Sequence, residues 1–180
     1  MNIRFAKESD ARALLKIYQQ YIDTTVTFEY VLPSEEEFQR RIREFSEMYP
    51  YLVCEEDGNI IGYAYAHRAF ERAAFQWDAE VSIYLDRDAR GKGIGTALYE
   101  KILDILQKQN FCICYAKIND DNKASIMMHE KYGFRQIGAK RNCGYKFGKW
   151  HSIIFFEKQL NEFSVPPKPI IPISELNYEF

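Results

Sequence analysis

The segment Arg87-Asp88-Ala89-Arg90-Gly91-Lys92-Gly93-Ile94-Gly95 concentrates what a phosphate-binding loop needs. Glycines allow successive backbone N–H groups to turn toward one centre and build an anion nest. A helical pattern begins at Thr96, so the loop opens a helix whose unpaired N–H groups and dipole add to the positive field. Arg90 and Lys92 supply formal charge, and a pyrophosphate is the natural guest. A Walker A loop would end Gly-Lys-Ser/Thr, but here Gly95 runs directly into Thr96. A dinucleotide fingerprint would place its glycines differently and near the start of a βαβ unit. A plain tight turn has no need of Gly91, Gly93 and Gly95 flanked by two cations.

The elements that must hold this loop follow from periodicity. Asn2 to Ala6 reads as a strand, then Ser9 can cap a helix carrying Ala11, Leu14, Leu15, Tyr18 and Ile22 on one face. Thr24 to Leu32 has no period and reads as a loop. Ser34 and Glu37 have capping-box spacing ahead of a Phe38, Ile42, Phe45 stripe. Tyr51–Glu55 and Ile60–His67 form a hairpin about Asp57-Gly58. Phe70 to Asp78 is a polar-aromatic connection into a central strand over Ala79–Leu85. Thr96–Lys108 is a helix, Phe111–Ile118 a strand, and Lys123–Tyr132 a helix stopped by Gly133. Phe134–Lys140 and His151–Gln159 are strands. Pro166, Pro167, Pro169 and Pro172 make the tail an extended strap. The order predicts one α/β domain over residues 1–163, with a mixed sheet between helices and a tail over 164–180 packed on it.

Composition excludes other classes. A formal net charge of −2 gives no electrostatic case for nucleic acid or an anionic membrane. No apolar run approaches a membrane span, and the N-terminus lacks the apolar stretch of a signal peptide. Cys54, Cys112, Cys114 and Cys143 lack the spacing of a metal or redox pair. Reduced thiols in a cytoplasmic protein with no metal are the expectation.

A second motif follows the loop: Ile118-Asn119-Asp120-Asp121-Asn122-Lys123-Ala124-Ser125, then a helix ending Tyr132-Gly133-Phe134. With Arg90-Gly91-Lys92-Gly93-Ile94-Gly95, this pair resembles the two signature motifs of the GNAT superfamily of N-acetyltransferases. Further stretches are similar to the phosphinothricin and methionine sulfone acetyltransferase branch over nearly the whole chain: Thr27-Phe28-Glu29, Tyr49 to Val53, Trp77 to Glu80, Met128-His129-Glu130, Gly148 to His151 and Val165 to Pro169. The resemblance implies a GNAT fold, mostly antiparallel and splayed at the acetyl-CoA site, and a homodimer. It implies transfer of acetyl from acetyl-CoA to the α-amino group of a small amino acid or analogue in a ternary complex. Rival readings are a peptide or ribosomal-protein N-terminal acetyltransferase and a non-catalytic acetyl-CoA-binding module.

The attacking amine must lose a proton, so a general base helps. Glu80, at the start of the central strand, is that candidate, and an aromatic-lined pocket would push its carboxyl upward. His129 stands where many relatives carry a tyrosine acid; it is a proton donor or a structural histidine. The resemblance implies that acetyl-CoA contacts Ile83, Tyr84, Leu85, Arg90, Gly91, Lys92, Gly93, Ile94, Gly95 and Thr96, with a backbone donor to the thioester oxygen near Tyr84 or Leu85. Asn122 binds the pantetheine arm or simply caps a helix. Arg72 is the expected partner of a substrate carboxylate. Phe28, Glu29, Phe75, Trp77 and Val81 are the expected pocket residues.

Overall fold

The computed structural model describes residues 1–180 as a seven-stranded sheet in the order β1-β2-β3-β4-β5-β7-β6. The strands are β1 (Asn2–Phe5), β2 (Tyr51–Glu56), β3 (Asn59–Arg68), β4 (Asp78–Leu85), β5 (Ile113–Asn119), β6 (Arg135–Lys146) and β7 (Lys149–Gln159). The helices are α1 (Ala11–Ile22), α2 (Glu35–Phe45), α3 (Ile94–Lys108) and α4 (Lys123–Lys131). Every strand pair is antiparallel except β4 with β5.

Side-chain alternation sorts the sheet into two cores. Tyr51, Val53 and Tyr63 pack with Leu14, Tyr18, Phe38 and Ile42 of α1 and α2. Leu52, Cys54, Ala64, Ala79 and Val81 pack with Leu98, Ile102 and Leu106 of α3 on the other face. Leu98 is fully buried, and truncating such a leucine to alanine typically costs about 2–5 kcal/mol. At α2, Ser34 accepts from the Glu37 N–H at 3.2 Å, as the spacing predicts. Ser9 does not cap α1. Asp10 folds back to accept from Lys7 N at 2.7 Å and pairs with Arg4, so a short 3₁₀ turn precedes the helix.

Two further differences affect the site. The last hairpin is longer than periodicity suggests, with β6 and β7 meeting at a tight turn where Phe147 and Gly148 have positive φ. A register irregularity between Lys140 and Gly144 hides this from pattern reading. The coil from Thr24 to Leu32 is anchored by that hairpin. The buried ammonium of Lys146 donates to the carbonyls of Ile22, Thr24 and Thr27 at 2.7–2.8 Å, and burial lowers its pKa. The tail crosses the end of α3, where Asn110 donates to the Pro169 carbonyl and Ile171 N–H donates to the Gln109 carbonyl.

Candidate active site

The parallel pairing of β4 with β5 covers only Asp78, Glu80 and the residue between, against Ile113, Cys114 and Tyr115. Beyond Glu80 the strands part. A crevice of about 70 Å³ opens between them, lined among others by Val26, Val81, Ile83, Lys117, Asn122 and His129. Asp86 N–H donates to Ile61 O, and the β3–β4 register continues this pattern back along the strand. In an antiparallel pair the bonded sides alternate. The N–H groups of Ser82 and Tyr84 therefore point to β3, while those of Val81, Ile83 and Leu85 point toward β5, where the Glu80–Tyr115 pair commits Val81 N–H to the Tyr115 carbonyl. The expected donor near Tyr84 or Leu85 is thus narrowed. Tyr84 N–H belongs to the β3 ladder, and Leu85 N–H donates to the Tyr21 hydroxyl at 3.2 Å. Ile83, next to Tyr84, presents the open donor.

At the C-terminal end of β4 the chain enters the glycine loop. Asp86 accepts from Asp88 N–H at 2.9 Å and starts a 3₁₀ turn, and Gly91 and Gly93 then take φ of 78° and 80°. That left-handed geometry is what glycine permits at low strain. No protein group accepts from the backbone N–H groups of Gly91, Lys92, Gly93, Ile94, Gly95 or Thr96. The α3 terminus and the loop thus present one continuous run of donors, a nest for an anion. Helix α1 braces it. Gln20 accepts from Arg87 N–H and donates to Asp86, and the Arg90 guanidinium lies 5.4 Å over the Tyr21 ring. Lys92 is exposed and only 3.9 Å from the exposed Glu56 carboxylate, so its charge is free for a ligand.

Glu80 is buried on the α1/α2 face. Its Oε2 lies 2.6 Å from Lys117 Nζ, and its Oε1 lies 4.0 Å from His67 Nε2. The Lys117 contact is a charge pair without hydrogen-bond alignment, because Oε2 has no hydrogen-bond partner. Lys117 and His67 thus join the aromatic lining expected around Glu80. Tyr115 is the β5 partner of Glu80, and Lys117 follows two residues later on the same face.

His129 is buried on the opposite face, among Tyr99, Phe134 and Phe156. Its Nδ1 lies 2.7 Å from the Ser125 carbonyl, which can only accept, so Nδ1 carries a proton. Burial lowers its pKa, partly offset by that hydrogen bond. The neutral ring then has a bare Nε2, which is an acceptor. Asn122 accepts from Ser125 N–H at 3.2 Å, which is the helix-cap reading, while its side chain also borders the crevice.

The expected pocket residues divide. Phe28 lies against Gly144, and Glu29 pairs with Arg41 at 2.8 Å while its Oε2 is buried without a partner. Phe75 packs on Phe70, whose ring meets Tyr115 edge-on at 5.3 Å, so this loop does border the Glu80 face. Arg72 is exposed and makes no side-chain hydrogen bond or ion pair. Trp77 is a correction. Its indole N–H donates to Lys168 O of the tail at 2.7 Å. Alternation puts it on the α3 face, opposite Glu80. The Val81 side chain is in the α3 core for the same reason, leaving its backbone at the opening. Sequence reasoning missed Lys117, Gln20 and Tyr21. Face alternation was available for Lys117, but the β4–β5 register was not.

Residues 3–154 match the family model described as acetyltransferase (GNAT) domain. The chain belongs to the GNAT acetyltransferase family. It is 32% identical over 177 residues to the phosphinothricin N-acetyltransferase of Streptomyces viridochromogenes, covering 98% of this chain and 96% of the relative. It is 31% identical to the L-methionine sulfoximine/L-methionine sulfone acetyltransferase of Salmonella typhimurium, covering 92% and 98%. The crystal structure of a GNAT superfamily phosphinothricin acetyltransferase from Sinorhizobium meliloti, solved in complex with AcCoA, superimposes with a TM-score of 0.88 at 33% identity, covering 97% of each chain. The GNAT fold expected from the sequence is the fold found, and the acetyltransferase assignment of the chain stands on this family membership.

Proposed function

We propose that this GNAT acetyltransferase moves acetyl from acetyl-CoA to the α-amino group of a small amino acid or analogue of the phosphinothricin, methionine sulfone or methionine sulfoximine type, by direct attack in a ternary complex. The observation that carries the reading is a buried carboxylate, Glu80, at the last β4–β5 pair before the strands part. The diphosphate of acetyl-CoA rests on the N–H run from Gly91 to Thr96, with Arg90 and Lys92 beside it. The pantetheine arm lies in the β4–β5 opening, where the Ile83 N–H group faces it. That N–H donates to the thioester oxygen as charge develops there.

Glu80 takes the proton of the attacking ammonium, directly or through one water. The amine nitrogen adds to the thioester carbonyl, the tetrahedral adduct collapses, and the carbon–sulfur bond breaks. The thiolate leaves with a proton shed by the former amine. His129 orients rather than donates in this reading, since its one proton is committed to Ser125 and Nε2 accepts. The four free thiols accord with a reducing, cytoplasmic setting. The exposed rings of Tyr30, Tyr145, Phe147 and Trp150, gathered on and beside the β6–β7 hairpin, supply the apolar surface of a homodimer.

The test is CoA release, followed by thiol detection, with acetyl-CoA and phosphinothricin, methionine sulfone, methionine sulfoximine, common amino acids and a short peptide. Turnover of the analogues is expected, with kcat/KM reduced roughly 10²- to 10⁴-fold in Glu80→Gln at unchanged acetyl-CoA affinity. Turnover of the peptide alone refutes the small-substrate reading.

A further inference from the structure

The cation nearest the buried carboxylate is Lys117, not the arginine that an amino-acid substrate led us to expect. Its Nζ is 2.6 Å from Glu80 Oε2, whereas Arg72 is exposed and pairs with nothing. The two members of the pair differ in access. The Lys117 side chain is 35% exposed and borders the β4–β5 opening, while that of Glu80 is 10% exposed. Their contact is not aligned as a hydrogen bond. A partly desolvated ion pair without good hydrogen bonds is poorly compensated. Lysine carries its charge on a flexible four-carbon stem and can swing to a new partner.

We propose that Glu80 and Lys117 together form the recognition element for a zwitterion, with the substrate ammonium on Glu80 and the substrate α-carboxylate on Lys117. The inference rests on the amino-acid N-acetyltransferase reading above and names the residue that selects its substrate class. An α-amino acid carries both charges on one carbon, so it inserts between the two side chains and satisfies each. A simple amine brings only a cation. It competes with Lys117 for Glu80 and leaves two like charges together in a half-buried site. Lys117 is thus a specificity-determining residue that rejects amines lacking a carboxylate as well as binding those that have one.

The experiment compares methionine sulfone with its carboxamide, at saturating acetyl-CoA, for the unmodified enzyme, Lys117→Met and Lys117→Arg. A charge-assisted contact contributes about 1.5–3 kcal/mol, or roughly 10- to 150-fold. Lys117→Met is expected to raise KM for the free acid by that factor, to leave kcat within a few-fold, and to leave or lower KM for the carboxamide. Lys117→Arg recovers most of the acid KM. Thermal unfolding checks that each variant folds. If Lys117→Met does not, the ratio of acid to carboxamide KM in Lys117→Arg and in the unmodified enzyme decides, with a ratio near one overturning the proposal. A parallel fall in kcat for both substrates with a displaced pH–rate profile also overturns it, and makes Lys117 a positioning residue for Glu80. If the unmodified enzyme acetylates neither amino acids nor the carboxamide, the amino-acid reading itself falls and the zwitterion site with it.

Discussion

Gly144 on β6 offers a sharp steric test of how the site wall is built. A Cβ at this position would lie 2.3 Å from Cε1, 2.6 Å from Cδ1 and 3.2 Å from Cζ of Phe28. Carbon contacts are comfortable near about 3.5–4.0 Å, so the ring must retreat by roughly an ångström or more. Rotation alone does not clear three atoms along one edge, and His151 borders the ring at a centroid distance of 6.1 Å. Gly144 is not among the positive-φ glycines, so the backbone adds no strain of its own. Gly144→Ala is therefore a pure overpacking change, worth about 1–3 kcal/mol. For a chain of this size that lowers Tm by about 2–12 °C. Phe28 neighbours Glu29 in the coil tethered by Lys146, so the same shift raises KM for the amine and spares acetyl-CoA affinity. The assay is a double-mutant cycle with Phe28→Ala, followed by thermal unfolding and by thiol release. In the Phe28→Ala background, Gly144→Ala becomes close to neutral, giving a coupling near the full single-mutant effect. An unchanged Tm for Gly144→Ala, or simple additivity, refutes the reasoning.

Three further outcomes follow from the same geometry. Gly93→Ala meets no atom within 4 Å, so its effect is confined to the left-handed backbone, about 1–2 kcal/mol. The exposed loop relaxes when free, and calorimetry should therefore show CoA binding about 5- to 30-fold weaker at unchanged Tm. Trp77→Phe removes the N–H that holds Lys168 O, about 0.5–1.5 kcal/mol, and should lower Tm by a few degrees while KM for the amine stays constant. A raised KM there would return Trp77 to the substrate pocket. The His129 pKa is depressed by burial below its ordinary 6.5, so the unfolded chain binds the proton more readily. Stability should be fully present above about pH 6.5 and fall as the pH drops below it; denaturant titrations should show a shallower acid slope in His129→Gln.

Most elements were legible because helices and strands here carry clean periods. Ala11, Leu14, Leu15 and Tyr18 mark one helix face, and Ser34 with Glu37 mark a start. The glycine loop was legible because an anion nest needs residue types that little else requires together. What escaped depends on distances along the chain that no local pattern encodes. The β4–β5 register, which brings Lys117 to Glu80, is set by packing of the whole sheet. His67 lies beside Glu80 through the β3–β4 register, whereas along the chain it is a weak candidate at a strand end. Trp77 carries the residue type of a substrate pocket, yet its parity along β4 turns it to the tail. Asn122 shows the limit from the other side: cap and pantetheine ligand ask for the same residue at the same place, and its Oδ1 caps α4.

The central claim is that acetyl-CoA lies along the glycine loop and enters the β4–β5 opening. Backbone amide shifts of ¹⁵N-labelled protein titrated with acetyl-CoA test it most directly. We predict the largest perturbations at Gly91, Gly93, Gly95 and Thr96 and at Ile83. A cavity of about 530 Å³ between Met1, Lys101 and Phe180 lies on the outer side of α3 and should stay silent. Perturbations clustered there, with the loop and β4 unmoved, would contradict the account.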